Sequence, residues 1–422
     1  MMTSRQSANT WRAWGLLVMA LLWPALGQAQ TPGGNGLKVG EGRLHPSFEL
    51  ETRLDSAAGY FPPPGNLDPT VVSETLSGEL LLHVRPGARL ELPASSKVNV
   101  NLTGYLDYIH YTGLLTENSG VASRLEGLGD LSVRFNEGAS VEVEVGDHFE
   151  RSDRTRNAAL GVGVLSLYNE VRLAVPLRPG GGALEITPKA AWAMELFQPL
   201  GALSPVGCTE STCDPSVVRQ FDYSNLNTAV QARWRFLPKT ALVVDGRFDM
   251  RSYFQGSSPN ALLLHTTAGL AGLISPKLSV TAKLGWAQDF GAVGGGTFIA
   301  QLEGSYLLST TISFKAGYTR SMEPVAAFGL FRDDRGYVEG QALLGGRLTV
   351  RGLAAFDYLS FQDANNPRRD TVFRLDVGPQ YQFQQWLVGG VGFMLGTRSS
   401  NNPGAGLNYT RHEGYARMTV SY

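Results

Sequence analysis

GYARMTVSY, residues 414–422, ends on an aromatic residue preceded by strict two-residue alternation. Gly414, Ala416, Met418, Val420 and Tyr422 share one parity; Tyr415, Arg417, Thr419 and Ser421 share the other. A strand with this pattern has one oily face and one wet face. The last strand of a soluble sandwich alternates in this way. So does the closing strand of an outer-membrane barrel, whose terminal aromatic, here Tyr422, sits in the interfacial girdle. Nine residues do not separate the two readings, but the rest of the chain does.

The same alternation recurs upstream. In LNTAVQARWRF (226–236), Leu226, Val230, Trp234 and Phe236 oppose Asn227, Gln231, Arg233 and Arg235, a split that assigns Thr228 and Ala232 to the oily parity. ALVVDGRFDMRSYF (241–254) sets Leu242, Val244, Phe248 and Met250 against Asp245, Arg247, Asp249 and Arg251. TVFRLDVGPQYQF (371–383) sets Phe373, Leu375, Val377 and Tyr381 against Arg374, Asp376, Gln380 and Gln382. Between such stretches, short turns alternate with longer polar connections. Compact turns are read at FNEGA (135–139), LPK (237–239), SPK (275–277) and LGGR (344–347), and RPGARLELPASS (85–96) is read as a looser one. Long loops are read at 55–70, 151–160, 198–216, SMEPVAAF (321–328) and RSSNNPGAG (398–406). Tight turns at one end and long loops at the other are the habit of membrane barrels. The expected fold is all-β, a transmembrane antiparallel up-and-down β-barrel of about 18 strands, with 16–20 allowed by the uncertainty of strand boundaries.

Composition agrees. Charged residues are 17% of the chain, against roughly 25% in ordinary soluble domains. Glycine, with 50 residues, exceeds its usual share of about 7%. The apolar content is thus dispersed along strands, and no later run is long enough for a spanning helix, so strands must do the spanning. Arg5 and Arg12 precede the short apolar stretch AWGLLVMALLWPAL (13–26), followed by Gly27-Gln28-Ala29. Residues 1–29 are therefore read as a cleaved signal peptide, 30–43 as a flexible periplasmic leader and 44–422 as the barrel. A net charge of −1 gives no electrostatic support to nucleic-acid binding. Cys208 and Cys213, in an exported chain, are expected to form a disulfide that stiffens one loop.

The chemistry-bearing motifs are sparse. The six His lack metal-ligand spacing, so no metal site is expected. No GxSxG or HExxH occurs, and the expectation is a non-enzyme without a cofactor. WLVGGVGFMLG (386–396) has the glycines of a phosphate loop but not its Lys-Ser/Thr ending, and reads as a strand whose glycines face a crowded lumen. Function is then sought in the lumen. Its candidate lining residues are Arg233, Arg235, Asp245, Arg247, Asp249, Arg251, Arg374, Asp376, Glu413 and Arg417. Their mixed signs either satisfy each other across strands or set up a polar field for a hydroxyl-rich solute.

GDHFERSDRTRN (146–157), LPKTALVVDGRFDMRSYF (237–254), SPKLSVTAKLGWAQDF (275–290) and FRDDRGYVEGQALLGGRL (331–348) resemble segments of the barrel porins that accompany outer-membrane polysaccharide export proteins. The resemblance implies an outer-membrane passage for an exopolysaccharide or capsule polymer. It also implies a periplasmic polysaccharide export protein as partner, outer-membrane lipid around the wall, and insertion by the barrel assembly machinery. A general diffusion porin and a structural or adhesive barrel are the two alternatives.

Overall fold

The computed structural model describes residues 36–58, 78–115, 123–153, 164–199, 219, 221–255, 260–291, 294–325, 329–362, 367–401 and 408–422. A short arm, β1 (Leu37–Val39), precedes β2 (Gly42–Asp55), β3 (Glu79–Ser95), β4 (Val98–Tyr111), β5 (Arg124–Phe135), β6 (Val143–Ser152) and β7 (Val164–Ala174). Then come β8 (Leu184–Pro199), β9 (Tyr223–Leu237), β10 (Thr240–Tyr253), β11 (Ala261–Ser275), β12 (Leu278–Asp289) and β13 (Gly295–Leu307). The chain finishes with β14 (Ile312–Val325), β15 (Gly329–Leu344), β16 (Leu348–Phe361), β17 (Arg369–Gln384), β18 (Leu387–Ser400) and β19 (Tyr409–Ser421).

From β2 to β19 each strand pairs antiparallel with the next, and β19 returns to β2 through pairs from Glu413↔Asp55 to Ser421↔Ser47. That last ladder closes an up-and-down barrel of 18 strands, β2 to β19. β1 pairs only with the foot of β2, Leu37↔Leu44 to Val39↔Gly42. Part of the segment expected to be a flexible leader is thus a folded-back arm, and the wall begins at Gly42.

The hairpin turns show why these strands reverse where they do. Between β15 and β16, Gly345 and Gly346 take φ of 58° and 71°, the left-handed pair of a tight turn closed by the Arg347 N–H on the Leu344 carbonyl at 3.3 Å. After β5, Asn136 takes φ 55°, which asparagine tolerates better than most residues, and its N–H donates to the Lys97 carbonyl at 2.7 Å. RPGARLELPASS is not a turn. β3 runs through it to Ser95, because Pro86 and Gly87 keep extended pairing with Phe48 and Ser47, and the reversal falls at Ser96–Lys97.

The outward parity is oily. Leu102, Val230, Val244, Leu270, Leu284, Leu302, Val338 and Val377 all stand exposed on the outer wall. Exposed aromatics gather at both margins of this band. Trp234, Phe236, Tyr306, Phe314, Phe383 and Trp386 lie near the tight turns; Tyr108, Trp286, Phe290, Phe298 and Phe356 lie near the loops. An apolar belt between two aromatic girdles on a closed barrel is the surface of a protein embedded in the outer membrane. The tight-turn end is then periplasmic. Tyr422 is 58% exposed at that rim, with its N–H donating to the Pro46 carbonyl at 3.1 Å.

Candidate functional site

The inward parity changes character along the barrel axis. Toward the loops it is dry. On β2, Glu51, Arg53 and Asp55 are buried, and their neighbours on β3 and β4 are Glu79, Leu81, His83, Asp107 and Ile109, all buried. Charges there are held in pairs, as a low-dielectric site demands. Arg53 donates to Glu413 at 3.0 Å and to Glu51 at 2.9 Å, and Arg85 bridges Asp107, Glu49 and Glu51. Arg368 and Arg398 converge on the fully buried Asp370. Beyond the end of β6, Asp153 meets Arg124 of β5 at 2.8 Å and Arg411 of β19 at 4.0 Å, the latter across β2, β3, β4 and β5.

Among the described residues, the tip of the β14–β15 hairpin turns inward. β13 and β14 are paired only up to Ala300↔Arg320, whereas β14 and β15 remain paired to Val325↔Gly329. Ser321–Val325 thus part from β13, while β15 keeps its ladder with β16 as far as Phe331↔Phe361. Met322 and Leu330 carry the lipid-facing parity, yet both are fully buried and cluster with Leu263, Ala287 and Ile299. Those three belong to the inner face of β11, β12 and β13. The other face of the tip, Val325 and Phe331, clusters with Leu359, Phe361 and Val372 on β16 and β17. An anchor stands on β10: the Arg251 guanidinium donates to the Pro324 carbonyl at 2.9 Å. From β14 to β10 is four strand positions, about 19 Å at 4.8 Å per strand. The described part of the tip therefore bends into the lumen, covered on both faces and reaching β10.

Toward the turns the lumen opens. Tyr105, Arg89, Glu91, Arg134 and Lys315 face inward, with side chains from about two-fifths to nearly half exposed. Among the described residues, inward side chains are thus buried toward the loops and open toward the turns.

The sequence candidates fall into three groups within this lumen. Asp245, Arg247, Asp249 and Arg251 rise in order along β10. Asp245 accepts from Gln231 at 2.8 Å, Thr267 at 3.2 Å and Lys283 at 2.9 Å. Arg247 donates to Asp249 at 2.7 Å and to the His265 ring nitrogen at 2.7 Å, and stands 3.7 Å from Glu323 of the tip. Arg251 also lies over the Tyr223 ring at 4.0 Å. The upper half of this ladder therefore grips the hairpin, an assignment different from a free polar field for solutes. Arg374 is paired with the buried Asp357 at 2.6 Å, Asp376 accepts from the Tyr415 hydroxyl at 3.3 Å, Glu413 is held by Arg53 and Arg411, and Arg417 lies 3.4 Å from Glu49. Arg233 and Arg235 stand apart, exposed at the periplasmic mouth. Three of the four glycines of WLVGGVGFMLG face the lumen where large side chains need room: Gly390, Gly392 and Gly396 pair with Arg417, Tyr415 and Arg411, whereas Gly389 pairs with the outward Met418. Cys208 and Cys213 lie outside the described residues.

Several residues that build the site were not singled out by sequence reasoning: Met322, Leu330, Phe331, Tyr223, Asp357 and Asp370. For the tip there was a signal. SMEPVAAF was read as an external loop, but just beyond it Leu330 and Phe331 are apolar at both parities, which a one-sided wall strand does not need and a stretch covered on both faces does.

No protein-family model matches the chain, and no curated protein matches it. Among solved structures, it is similar to the siderophore receptor PirA from Pseudomonas aeruginosa, with 11% identity, a TM-score of 0.46, and coverage of 90% of this chain and 80% of that one. The OccAB3 protein of Acinetobacter baumannii aligns with 9% identity and a TM-score of 0.45 over 91% of this chain and all of that one, 100%. The FrpB iron transporter from Neisseria meningitidis gives 8% and 0.46, over 87% and 62%. The barrel assignment rests on the strand pairing itself.

Proposed function

We propose that the protein is a normally shut passage across the outer membrane, opened to release a polysaccharide supplied from the periplasm. The observation that carries this reading is the docked β14–β15 tip. A general diffusion porin needs a standing aqueous path, and here the loop-side mouth holds two apolar clusters and a guanidinium anchored on a backbone carbonyl. The turn end of the lumen is wet, as an entering hydrated chain requires. Its charges are largely neutralised by each other, which favours weak repeated contacts over capture of one small ion. The choice of a polysaccharide as cargo, and of a periplasmic export protein as partner, comes from the resemblance of residues 146–157, 237–254, 275–290 and 331–348 to porins of polysaccharide export.

Deleting the gene should abolish one surface polysaccharide without altering uptake of small solutes. A deletion strain that keeps its polymer but takes up small hydrophilic solutes more slowly would make the diffusion porin the better answer. Loss of surface adhesion alone would favour the structural barrel.

A further inference from the structure

Lumenal arginines in this barrel are, as a rule, matched to carboxylates. Arg53, Arg85, Arg124, Arg172, Arg247 and Arg374 each have an acidic partner within 3.3 Å. Arg233 and Arg235 break the rule. They share the inward face of β9, both are exposed, and among the described residues neither is in an ion pair. The acidic side chains that could serve them are engaged elsewhere. Glu185, the register partner of Arg233 on β8, is held by Arg178 at 2.8 Å, and Asp245 is taken by Gln231, Thr267 and Lys283.

Beside the two arginines the inner wall is hollow. Inward positions that elsewhere carry long side chains are here Ala241 on β10, Ala271 on β11, and Ser279 and Thr281 on β12. With Arg233, Arg235 and Lys239 they enclose about 400 Å³, and none of the residues lining this space is acidic. That volume lies in the range of small-ligand sites. The hollow combines three cationic groups, the hydroxyls of Thr240, Ser279 and Thr281, and uncharged neighbours at the turn end of the lumen.

The geometry points to an entry subsite for an anionic sugar unit, a carboxylate-bearing residue of the transported polymer. Arg233 and Arg235 would take the carboxylate, for which the guanidinium fork is suited. Ser279 and Thr281 would meet ring hydroxyls, and Ala271 would leave room for the ring, Ala241 beside it being already covered. This inference rests on the passage reading and specifies its cargo as acidic.

The test is isothermal titration of the purified, full-length barrel in detergent with a trimer of galacturonic acid, and with maltotriose as the neutral trimer. The acidic trimer should bind and weaken as salt is raised. R233Q/R235Q should weaken it by about tenfold or more, while Lys97→Gln at another turn should leave it unchanged. If the double variant does not assemble, as judged by heat-modifiable migration, R235Q alone and the salt series on the unaltered barrel carry the test. Equal binding of maltotriose, competition by inorganic phosphate as strong as by the acidic trimer, or an unaffected R233Q/R235Q would each overturn the subsite. These outcomes are separable from the passage reading, because a deletion strain that keeps its polysaccharide would remove that reading even if the acidic trimer bound.

Discussion

The two halves of the lumen are built on the same strands with the same alternation, yet they behave as different materials. At the loop end, inward residues such as Leu359, Asp357, Asp370 and Leu263 are almost wholly buried. At the turn end Arg89, Thr103, Arg235 and Lys315, inward residues of β3, β4, β9 and β14, are open. Alternation decides only which face a side chain takes. Whether that face is wet or dry is decided by what lies opposite, and opposite Leu263 and Leu359 lies the β14–β15 tip.

The contrast can be broken most sharply at Leu330. An aspartate there would put an unpaired charge among Leu263, Ala287, Ile299 and Met322, at a cost of about 4 kcal/mol or more. The tip should undock, and residues 321–333 should become open to protease in the assembled barrel. Continued resistance to protease would show that the cluster does not hold the tip.

A paired measurement sharpens the comparison next. Leu359→Ala, at a fully buried inward position, should cost about 2–5 kcal/mol. Thr103→Ala, inward but exposed, should stay within about 0.5 kcal/mol. Thermal unfolding in detergent reads both, and equal shifts would erase the distinction between a buried and an open half. Arg251→Gln comes third. It removes a charged donor from the Pro324 carbonyl, a contribution of about 1.5–3 kcal/mol, and should give brief openings in bilayer recordings while the barrel remains assembled. The smallest effect is expected from reduction of Cys208 and Cys213. A disulfide closing so short a ring acts locally, so the thermal midpoint and the closed state of the lumen should not move; a fall in either would tie that loop to closure.

Much of the wall was legible in the sequence because one rule, period-two alternation, governs every strand in a lipid setting. The strand number, the faces of residues 226–236, 241–254 and 371–383, and the compact turns at 237–239, 275–277 and 344–347 follow from it. The closure was not legible. Met322 and Leu330 occupy ordinary lipid-facing parity, and only the early end of the β13–β14 ladder at Arg320 shows that the tip has turned inward. Long-range placement of this kind leaves a faint local trace, here apolar residues at both parities, Leu330 and Phe331. The charge ladder on β10 was found as a set of inward residues, but its bonds were not. Pairing of Arg247 with Asp249, and of Arg251 with a carbonyl four strands away, depends on register and on the tip, neither of which a single strand specifies.

The central claim is that the β14–β15 tip shuts the lumen, and single-channel recording in planar bilayers tests it most directly. The unaltered barrel should show little conductance. A barrel in which residues 322–332 are replaced by a short glycine-rich turn should show a stable, large conductance of porin size. A large steady conductance in the unaltered protein, unchanged by that excision, would contradict the account.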